Sequence, residues 1–527
     1  MAIPSVDWDI WNAPSIQPMM RATIHFPSGT EVYTDDDISA IDLSLLAFDS
    51  TCSLFGKPSP GTGSIEIIDY AQHLNPTYND QLAAGIQIDL ELGLRGYYDE
   101  SQLGPNRVVT VEEHQQVLYN GDTVWAFPFL TDTTLERTTQ FRLSFDYVLP
   151  DGSSGTNEQT GTVDELFVRP AMWTDANHYA VVYPTDMTIT NLAVQTVADF
   201  WSDYGTYYSQ EWKYDSTGST ASVDIVDATN DILQFDNRSS GVAPFTNANL
   251  LATVVDYLEL STPIVDTSIE SGTVIPFFFY EDSQAATVNA LVEALGGMLF
   301  PMPDGTYMLC DYRGAYETGV IFTDDDLESY SMEETSAITM DSAIVIAALP
   351  NNVESSEIVS FSNLDVAPGD FIPLNTGRIM SVDYVTYASD TSLHVKYGWD
   401  VVNLEYIGPS IDTLESLAVY GHMIDTTAME VSNVQGALPY TIKDNNYIQT
   451  ITQAQYLVDA LDAFIDLKYR ILRISLRGCP GLWLGGIVTV NSAMYNIQAK
   501  YVIIGIDFSY NGAVSTLLTL QRYVEGD

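Results

Sequence analysis

The chain has 527 residues, more than one hydrophobic core usually serves, so we expect about three or four domains. Its 19 Lys and Arg stand against 71 Asp and Glu, and the formal net charge of −52 disfavours nucleic-acid binding through a basic surface. An apolar content of 46% and 32 Tyr favour folded, β-rich domains over disorder.

Aspartate carries most of the negative charge, since the chain has 47 Asp, 24 Glu and only 6 Lys. This balance resembles proteins of salt-loving archaea, whose carboxylates repel each other less at high salt. A halophilic archaeon as the source is one hypothesis, and an ordinary acidic protein is the alternative.

The three cysteines, Cys52, Cys310 and Cys479, lie far apart and form no CxxC pair. They predict neither a disulfide framework nor a zinc site. The first residues lack a basic segment followed by an apolar run, and no apolar stretch approaches the ~20 residues that span a bilayer. We therefore expect assembly in the cytoplasm of the producing cell.

The first hundred residues have the pattern of a small β-barrel. Residues 19–33 predict a hairpin around Pro27-Ser28-Gly29, and Ser64–Ile68 predicts a further strand. Apolar residues at Ile86, Ile88 and onward to Leu94 alternate with polar ones, as in a strand with one buried face.

From about 97 to 183 the texture changes to short strands such as Phe141–Tyr147 and Ala180–Tyr183, separated by polar loops, the longest over 150–157. We interpret this segment as a jelly-roll-like β-sandwich inserted into the first barrel.

Helical periodicity appears at three places downstream. Apolar residues recur at spacings of three and four in Leu250–Leu258 and in Thr287–Leu295, and the second run leads into a hairpin over 298–309. A third helix is predicted over 450–468, with Thr450 or Thr452 as its cap, followed only by strands.

A short internal repeat links two distant parts of the chain. Thr34-Asp35-Asp36-Asp37 recurs as Thr323-Asp324-Asp325-Asp326, each copy after a short strand and before an aliphatic residue. Duplication of a barrel explains the shared context better than chance in an Asp-rich chain. Side chains on a strand end alternate in direction, so we prefer an acidic strand-to-turn segment over a metal site.

Three segments together resemble the tail hub proteins of bacteriophages and related viruses. They are Ser64–Leu90 with its Leu74-Asn75-Pro76, Val274–Leu309, and Tyr447–Val490 with its Pro480-Gly481-Leu482-Trp483. The resemblance covers most of the chain outside 97–185 and depends on the order of patterns. Gly486 departs from it, because such hubs often carry an acidic residue there.

The resemblance implies a mainly β (α+β) fold in five parts. These are a first hub β-barrel over 1–96 with 184–200, the inserted sandwich over 97–183, a helix-containing domain over 201–299, a second hub β-barrel over 300–410, and a C-terminal α+β domain over 411–527.

The resemblance also implies a ring-forming homotrimer in the distal tail or baseplate of a virion. Two barrels from each of three chains would adapt a sixfold tail tube or distal tail ring to a threefold tip. The implied partners are the tail tube or ring protein, the tape measure protein, separate spike or fibre proteins, and viral DNA passing without specific binding. A carboxylate-lined lumen would repel its phosphates.

Two other classes of function compete with this one. An enzyme is disfavoured because no HExxH, GxSxG, phosphate-binding glycine loop or zinc pattern occurs, so we assign no catalytic, cofactor or metal residue. Glu112-Glu113-His114 reads as a solvated charge cluster, whereas a polysaccharide-cleaving carboxylate pair stays open among 71 acids.

A carbohydrate-binding tail adhesin is the second alternative. The inserted segment contains aromatic residues on which sugars of the host surface could stack, with core packing as the competing interpretation. The candidates are Trp125, Phe127, Phe129, Trp173 and Tyr179.

Overall fold

The structure is a computed structural model. It describes residues 17–48, 54, 56, 58–98, 108–111, 115–119, 122–131, 140–162, 166, 178–230, 245–257, 264–265, 274–278, 281, 283–314, 316–326, 333–335, 340–351, 354–375, 378–387, 393–397, 401–409, 411–433, 436, 438–465, 467, 471–476 and 481–524.

The chain is mainly β, as the sequence predicted. The strands of the first half are β1 (Gln17–Phe26), β2 (Gly29–Thr34), β3 (Ile38–Leu46), β4 (Thr62–Ile68), β5 (Gln87–Tyr98), β6 (Val108–Val111), β7 (Gln115–Tyr119), β8 (Asp122–Thr131), β9 (Gln140–Val148), β10 (Ser154–Thr162), β11 (His178–Pro184), β12 (Thr188–Asp215), β13 (Thr220–Asp227), β14 (Phe245–Asn249) and β15 (Ile264–Val265).

The second half continues in the same way. Its strands are β16 (Val274–Phe278), β17 (Gly297–Pro301), β18 (Tyr307–Asp311), β19 (Tyr316–Thr323), β20 (Glu333–Thr335), β21 (Ser342–Pro350), β22 (Ser356–Val366), β23 (Phe371–Asn375), β24 (Ile379–Tyr387), β25 (Leu393–Tyr397), β26 (Val401–Tyr406), β27 (Asp412–Met423), β28 (Thr426–Ser432), β29 (Pro439–Ile442), β30 (Ile471–Leu476), β31 (Gly486–Ser492), β32 (Ile497–Tyr510) and β33 (Val514–Arg522). The described helices are α1 (Leu250–Tyr257), α2 (Gln284–Ala294) and α3 (Ile451–Asp462).

Two predicted boundaries differ from those observed. The polar run over 150–157 is a turn only as far as Ser153, because Asp151 accepts the Ser153 N–H at 2.9 Å and β10 then pairs with β9. Helix α3 begins after the predicted cap Thr450, whose hydroxyl accepts from Gln453 N–H, but it ends at Asp462. Polarity alone did not distinguish a loop from an exposed strand.

The contacts divide the chain into two units. The smaller comprises Met1–Arg21 and Glu91–Asp203, and the larger comprises Ala22–Leu90 and Tyr204–Asp527. In the smaller unit, β9 pairs with β10 and with the first part of β12, while β6, β7, β8 and β11 form a second sheet. Side chains from both sheets share one core, including Phe127, Phe141 and Tyr179. This packing is that of a β-sandwich.

The larger unit contains a long sheet in the order β2-β1-β5-β12-β13-β4-β3-β32-β33-β30-β20, with β31 beside β32 and β19 beside β31. Only Ala22–Phe26 of β1, Gln87–Leu90 of β5 and Tyr204–Asp215 of β12 belong to this unit. Inward residues such as Ile41, Ile65 and Val223 are fully or almost fully buried, and the residues that alternate with them face outward.

Residues 356–423 form a smaller two-sheet module within the larger unit. The sheet β22-β27-β24 and the sheet β23-β26-β25 contribute to one apolar cluster that includes Leu374, Val402 and Leu417. The module begins within the predicted second barrel over 300–410 and continues to residue 423, past the predicted boundary.

Helices α2 and α3 are connected by buried amides. Gln449 donates to the carbonyl of Phe277 at 2.7 Å and accepts from its N–H at 3.1 Å, and Gln453 donates to the last carbonyl of α2, that of Ala294, at 3.1 Å. Buried polar groups are tolerated when they are hydrogen-bonded, so these glutamines fix how β16, α2 and α3 meet.

Candidate functional site: a duplicated sheet with an acidic face

The Thr-Asp-Asp-Asp signature forms the same turn in both places. Asp37 Oδ2 accepts from the N–H of Thr34 at 3.2 Å, and Asp326 Oδ2 accepts from the N–H of Thr323 at 2.7 Å. In return, the N–H of each aspartate donates to the carbonyl of the same threonine, at 2.8 and 3.2 Å. Both copies are therefore acidic strand-to-turn segments, closed by the carboxylate of the last aspartate.

The two turns meet opposite ends of β32. The carboxylate of Asp324 accepts from Ser492 Oγ and from the N–H groups of Ala493 and Met494, in the turn that precedes β32. The Ser492 hydrogen bond lowers the pKa of Asp324. At the far end of β32, burial and the charges of Asp35 and Asp36 raise the pKa of Tyr510.

The strands around the two turns repeat in the same order. In chain order, β2, β3, β4, β5, β12 and β13 have β19, β20, β30, β31, β32 and β33 as counterparts. The neighbours run β3-β4-β13-β12-β5 in the first copy and β20-β30-β33-β32-β31 in the second. The copies differ where β1 lies between β5 and β2, whereas β19 lies directly beside β31.

Backbone details align the two copies residue by residue. The N–H of Gly85 donates to the carbonyl of Ser209 at 2.7 Å, and the N–H of Gly485 donates to the carbonyl of Ile503 at 2.8 Å. Both glycines have positive φ, 84° and 75°. The β-bulge between Ser209 and Glu211 in β12 matches the bulge between Ile503 and Gly505 in β32. Ser209 thus corresponds to Ile503, and Glu211 to Gly505.

Each copy is interrupted at a different connection. The chain between β5 and β12 carries β6 to β11, and the chain between β20 and β30 carries β21 to β29 and α3. The second copy therefore combines strands from the predicted parts 300–410 and 411–527. Insertions at strand connections leave the ladders intact, so continuity in sequence did not reveal which strands share a sheet.

The two copies join through β3 and β32. Ile41–Leu46 pair antiparallel with Gly505–Tyr510, and Ser44 Oγ donates to the carboxylate of Asp507 at 2.6 Å. On the same edge of β32, the pairing with β31 reaches Val502, and the N–H of Ala47 donates to the carbonyl of Ile504. β3 therefore pairs with the same edge of β32, beyond the residue at which the pairing of β32 with β31 ends.

The outward face of this junction is acidic and built from short side chains. In one row across the strands, Asp224 lies opposite Ser64, Ser64 opposite Asp42, and Asp42 opposite Ser509. In the next row, Thr62 lies opposite Ser44 and Ser44 opposite Asp507. These residues border an open groove whose lining is Asp42, Leu43, Ser44, Thr62, Gly63, Ser64, Gln210, Asp224, Ile225, Val226, Asp507, Phe508 and Ser509. We call this surface the acidic face.

Lys213 is the cation at the border of the acidic face. Its Nζ lies 2.7 Å from Asp224 and 3.1 Å from Glu211, and the Asp224 hydrogen bond, followed by that of Glu211, raises the pKa of Lys213. All three side chains are about half exposed or more, so these pairs add little stability. The arrangement is that of a solvated, negatively charged surface.

The aromatic candidates for glycan contact are distributed differently. Tyr179 is only 1% exposed and lies in the core of the smaller unit, where neither ring face is available to a sugar. Trp125 is partly buried against the same core, and Phe127 is 9% exposed within it. Phe129 lies on β8, and Trp173 lies outside the described residues. Glycan contact by Trp125 and Trp173 stays a prediction.

No group of three or more His, Cys, Asp or Glu in the described part of the chain could hold a metal ion. Glu112-Glu113-His114 falls outside that part, as do Cys52 and Cys479, while Cys310 is buried. None of the helices described is long and apolar enough to cross a membrane.

Sequence reasoning missed a buried carboxyl in the first copy. Asp227 is 4% exposed at the end of β13 and accepts from the N–H groups of Gly61 at 2.7 Å and Thr229 at 2.9 Å. Burial raises the pKa of Asp227 to about 6, although these hydrogen bonds favour the charged form. One aspartate among 47 carries no local signal of burial.

Comparison with protein families and with curated proteins finds no match. Among solved structures, the chain is similar to the 43 kDa tail protein of prophage MuSo2 from Shewanella oneidensis, with 9% identity, a TM-score of 0.42, and coverage of 95% of this chain and 98% of that one. It is also similar to a tail protein from Neisseria meningitidis MC58, with 8% identity, a TM-score of 0.39, and coverage of 95% and 96%.

A third similar structure is the prophage tail protein gp18 from Listeria monocytogenes EGD-e, with 8% identity, a TM-score of 0.29, and coverage of 80% of this chain and 93% of that one. The chain is thus similar to virus tail proteins, the class that its sequence patterns resemble. These TM-scores lie below 0.5, so no role of this chain follows from the similarity.

Proposed function

We propose that this chain is a structural protein of a virus tail, a homotrimeric hub at the distal end of the tail or in the baseplate. The observation that carries the proposal is the duplicated sheet, in which six strands, their bulge and their signature turn occur twice in one chain. A duplicated unit gives a chain two similar surfaces, which a single-copy subunit lacks.

Three chains with two copies each present six similar units around a threefold axis. Such a ring binds a sixfold tail tube or distal ring on one side and a threefold spike or fibre on the other. Its six similar units match the sixfold partner, and its three identical chains match the threefold partner. The tape measure protein is the expected neighbour inside the tube.

The acidic face supports a role for the ring as a channel for the genome. Asp42, Asp224 and Asp507 project from strands on both sides of the junction between the copies, and the side chains between them are short. A lumen lined in this way would repel phosphates and leave the passage free of bulky groups.

The oligomeric state tests the proposal. We expect the purified chain to have a mass near 174 kDa by light scattering, three times 58.1 kDa, and electron microscopy to show a ring with six similar lobes. The measurement should be repeated at 0.15 and 2 M NaCl, because a net charge of −52 opposes association at low salt. A monomer or dimer at both salt concentrations, or a ring without paired lobes, would contradict it.

The same images test the channel. The acidic face should line the central opening, and the Asp42→Lys, Asp224→Lys and Asp507→Lys triple variant should retain double-stranded DNA at a salt concentration at which the wild-type ring does not. An acidic face on the outside of the ring would exclude this role.

A further inference from the structure

The two copies join inside the chain through the pairing of β3 with β32. In the described part of the larger unit, the corresponding pair of strands is not paired. Because β20 corresponds to β3 and β12 to β32, the junction of β3 with β32 corresponds to a pairing of β20 with β12. No such pairing occurs among the described strands. β20 pairs with β30 and is the edge strand at one end of the long sheet.

The edge of β12 that would receive β20 is open in the described part of the chain. The ladder between β5 and β12 ends where Ser209 exchanges backbone hydrogen bonds with Gly85 and Ile86, just as Ile503 receives the N–H of Gly485 at the end of the β31 ladder. Beyond Ile503, β32 is taken up by β3. Beyond Ser209, residues Gln210–Asp215 have β13 as their neighbour on one side only.

We propose that β20 of one copy of this chain pairs antiparallel with Gln210–Asp215 of a second copy. The contact repeats between chains the pairing of β3 with β32 within the chain. It is heterologous, so three copies close a ring when each gives its β20 to the next. This inference rests on the proposed ring and names the strands that close it.

The alignment of the copies fixes the register. Counted from the signature threonines Thr34 and Thr323, Glu333 corresponds to Ser44, and Thr335 corresponds to Leu46. In β12, Glu211 corresponds to Gly505 and Lys213 to Asp507. Ser44 lies opposite Asp507 and Leu46 opposite Gly505, so Glu333 should lie opposite Lys213, and Thr335 opposite Glu211, across the interface.

The charges at this register are complementary. Lys213 is one of only 6 lysines in the chain, and its side chain is 53% exposed. Opposite charges directly across an antiparallel pair attract, and like charges there repel. A register shifted by one residue would place Glu334 opposite Lys213 and turn alternate side chains to the other face. At the position where the hydroxyl of Ser44 meets Asp507 within the chain, the register thus places residues of opposite charge across from each other between chains.

Cysteine cross-linking tests the pairing in the full-length protein. In the variant carrying Glu211→Cys and Thr335→Cys, mild oxidation should produce covalent dimers and trimers on non-reducing gels. Each single variant controls for the three native cysteines, and the pair Glu211→Cys with Glu334→Cys controls for register. Cross-linking confined to the Glu211 and Thr335 pair supports the proposal, and equal cross-linking in the control pair overturns it.

Charge reversal provides a second readout that does not depend on oxidation. Lys213→Glu and Glu333→Lys should each raise the concentration at which oligomers form by about tenfold or more, and the double variant should recover most of that loss. Two independent losses without recovery would overturn the pairing.

These results separate the pairing from the ring itself. A trimer of about 174 kDa in which the cysteines do not cross-link and the charges are not coupled would leave the hub standing and exclude β20 and β12 as its closing strands. A chain that stays monomeric throughout would contradict both.

Discussion

At the scale of single residues, the turn aspartates and Asp227 show that position decides the role of a carboxylate. Asp37 and Asp326 each close a turn by accepting the N–H of a threonine three residues earlier. Asp227 instead lies buried between Gly61 and Thr229, where a Cβ on Gly61 would come within 2.6 Å of its carboxylate. The same side chain thus closes a turn from a half-buried position in one place and is fully buried between backbone N–H groups in another.

The buried carboxyl of Asp227 predicts a pH effect on stability. The pKa of Asp227 is about 6 in the folded chain against an ordinary value of 3.8, so the folded state holds a proton that the unfolded state has lost between these two values. Its contribution to stability is present at about pH 4 and falls as the pH rises through 6, by at most ~3 kcal/mol.

Replacement of Asp227 by Asn removes this titration. We expect the urea midpoint of the wild type to fall relative to that of Asp227→Asn between pH 4.5 and 7, as measured by chemical denaturation at fixed ionic strength. Carboxylates whose pKa is lowered, such as Asp324, contribute equally to the pH dependence of stability in both proteins, so their contribution cancels in the comparison. Parallel pH profiles would show that Asp227 does not titrate in this range.

At the scale of elements, buried side chains from facing sheets hold the smaller unit together. Tyr179 on β11 and Phe141 on β9 are 1% and 0% exposed in the same core, although their strands belong to different sheets. An aromatic side chain in this environment stabilises the fold through its burial and packing.

We therefore expect Tyr179→Ala to cost about 3–5 kcal/mol, because it leaves a large cavity between the sheets. Hydrogen exchange should show faster opening of β9, β11 and the first part of β12, while Gln159→Ala on the exposed surface of β10 should leave exchange unchanged. Unchanged exchange in Tyr179→Ala, together with a loss of glycan binding, would support the adhesin alternative instead.

At the scale of the whole molecule, the net charge of −52 sets the response to salt. Self-repulsion among carboxylates destabilises the folded chain, and added salt screens it over a Debye length that falls from ~10 Å at 0.1 M to ~3 Å at 1 M.

We expect the thermal midpoint to rise between 0.1 and 2 M NaCl, with most of the gain below 1 M. KCl at equal ionic strength should raise the thermal midpoint as much as NaCl does below 1 M if charge screening is the cause. Sucrose is uncharged and should not reproduce this dependence on salt concentration. A midpoint that stays constant or falls would count against a saline host.

The sequence by itself determined the β-rich character and predicted some of the strands and the three described helices. Alternation predicted β4 and β5, and period-3.6 patterns predicted α1, α2 and α3, because burial of one face imposes these periods locally. The four-residue repeat forms the same turn in both places, since each turn closes through hydrogen bonds within the signature itself. That the repeat marks a duplicated barrel stays a prediction.

Only the tertiary structure decided which strands share a sheet. The pairing of β3 with β32 joins residues more than 450 positions apart, and the second copy is interrupted by β21 to β29 and α3. It also decided that Tyr179 is a core residue and that Asp42, Asp224 and Asp507 lie on one surface. The physical reason is that a strand's pattern records how much of it is buried, whereas its partner is selected by backbone hydrogen bonds, which every strand offers alike.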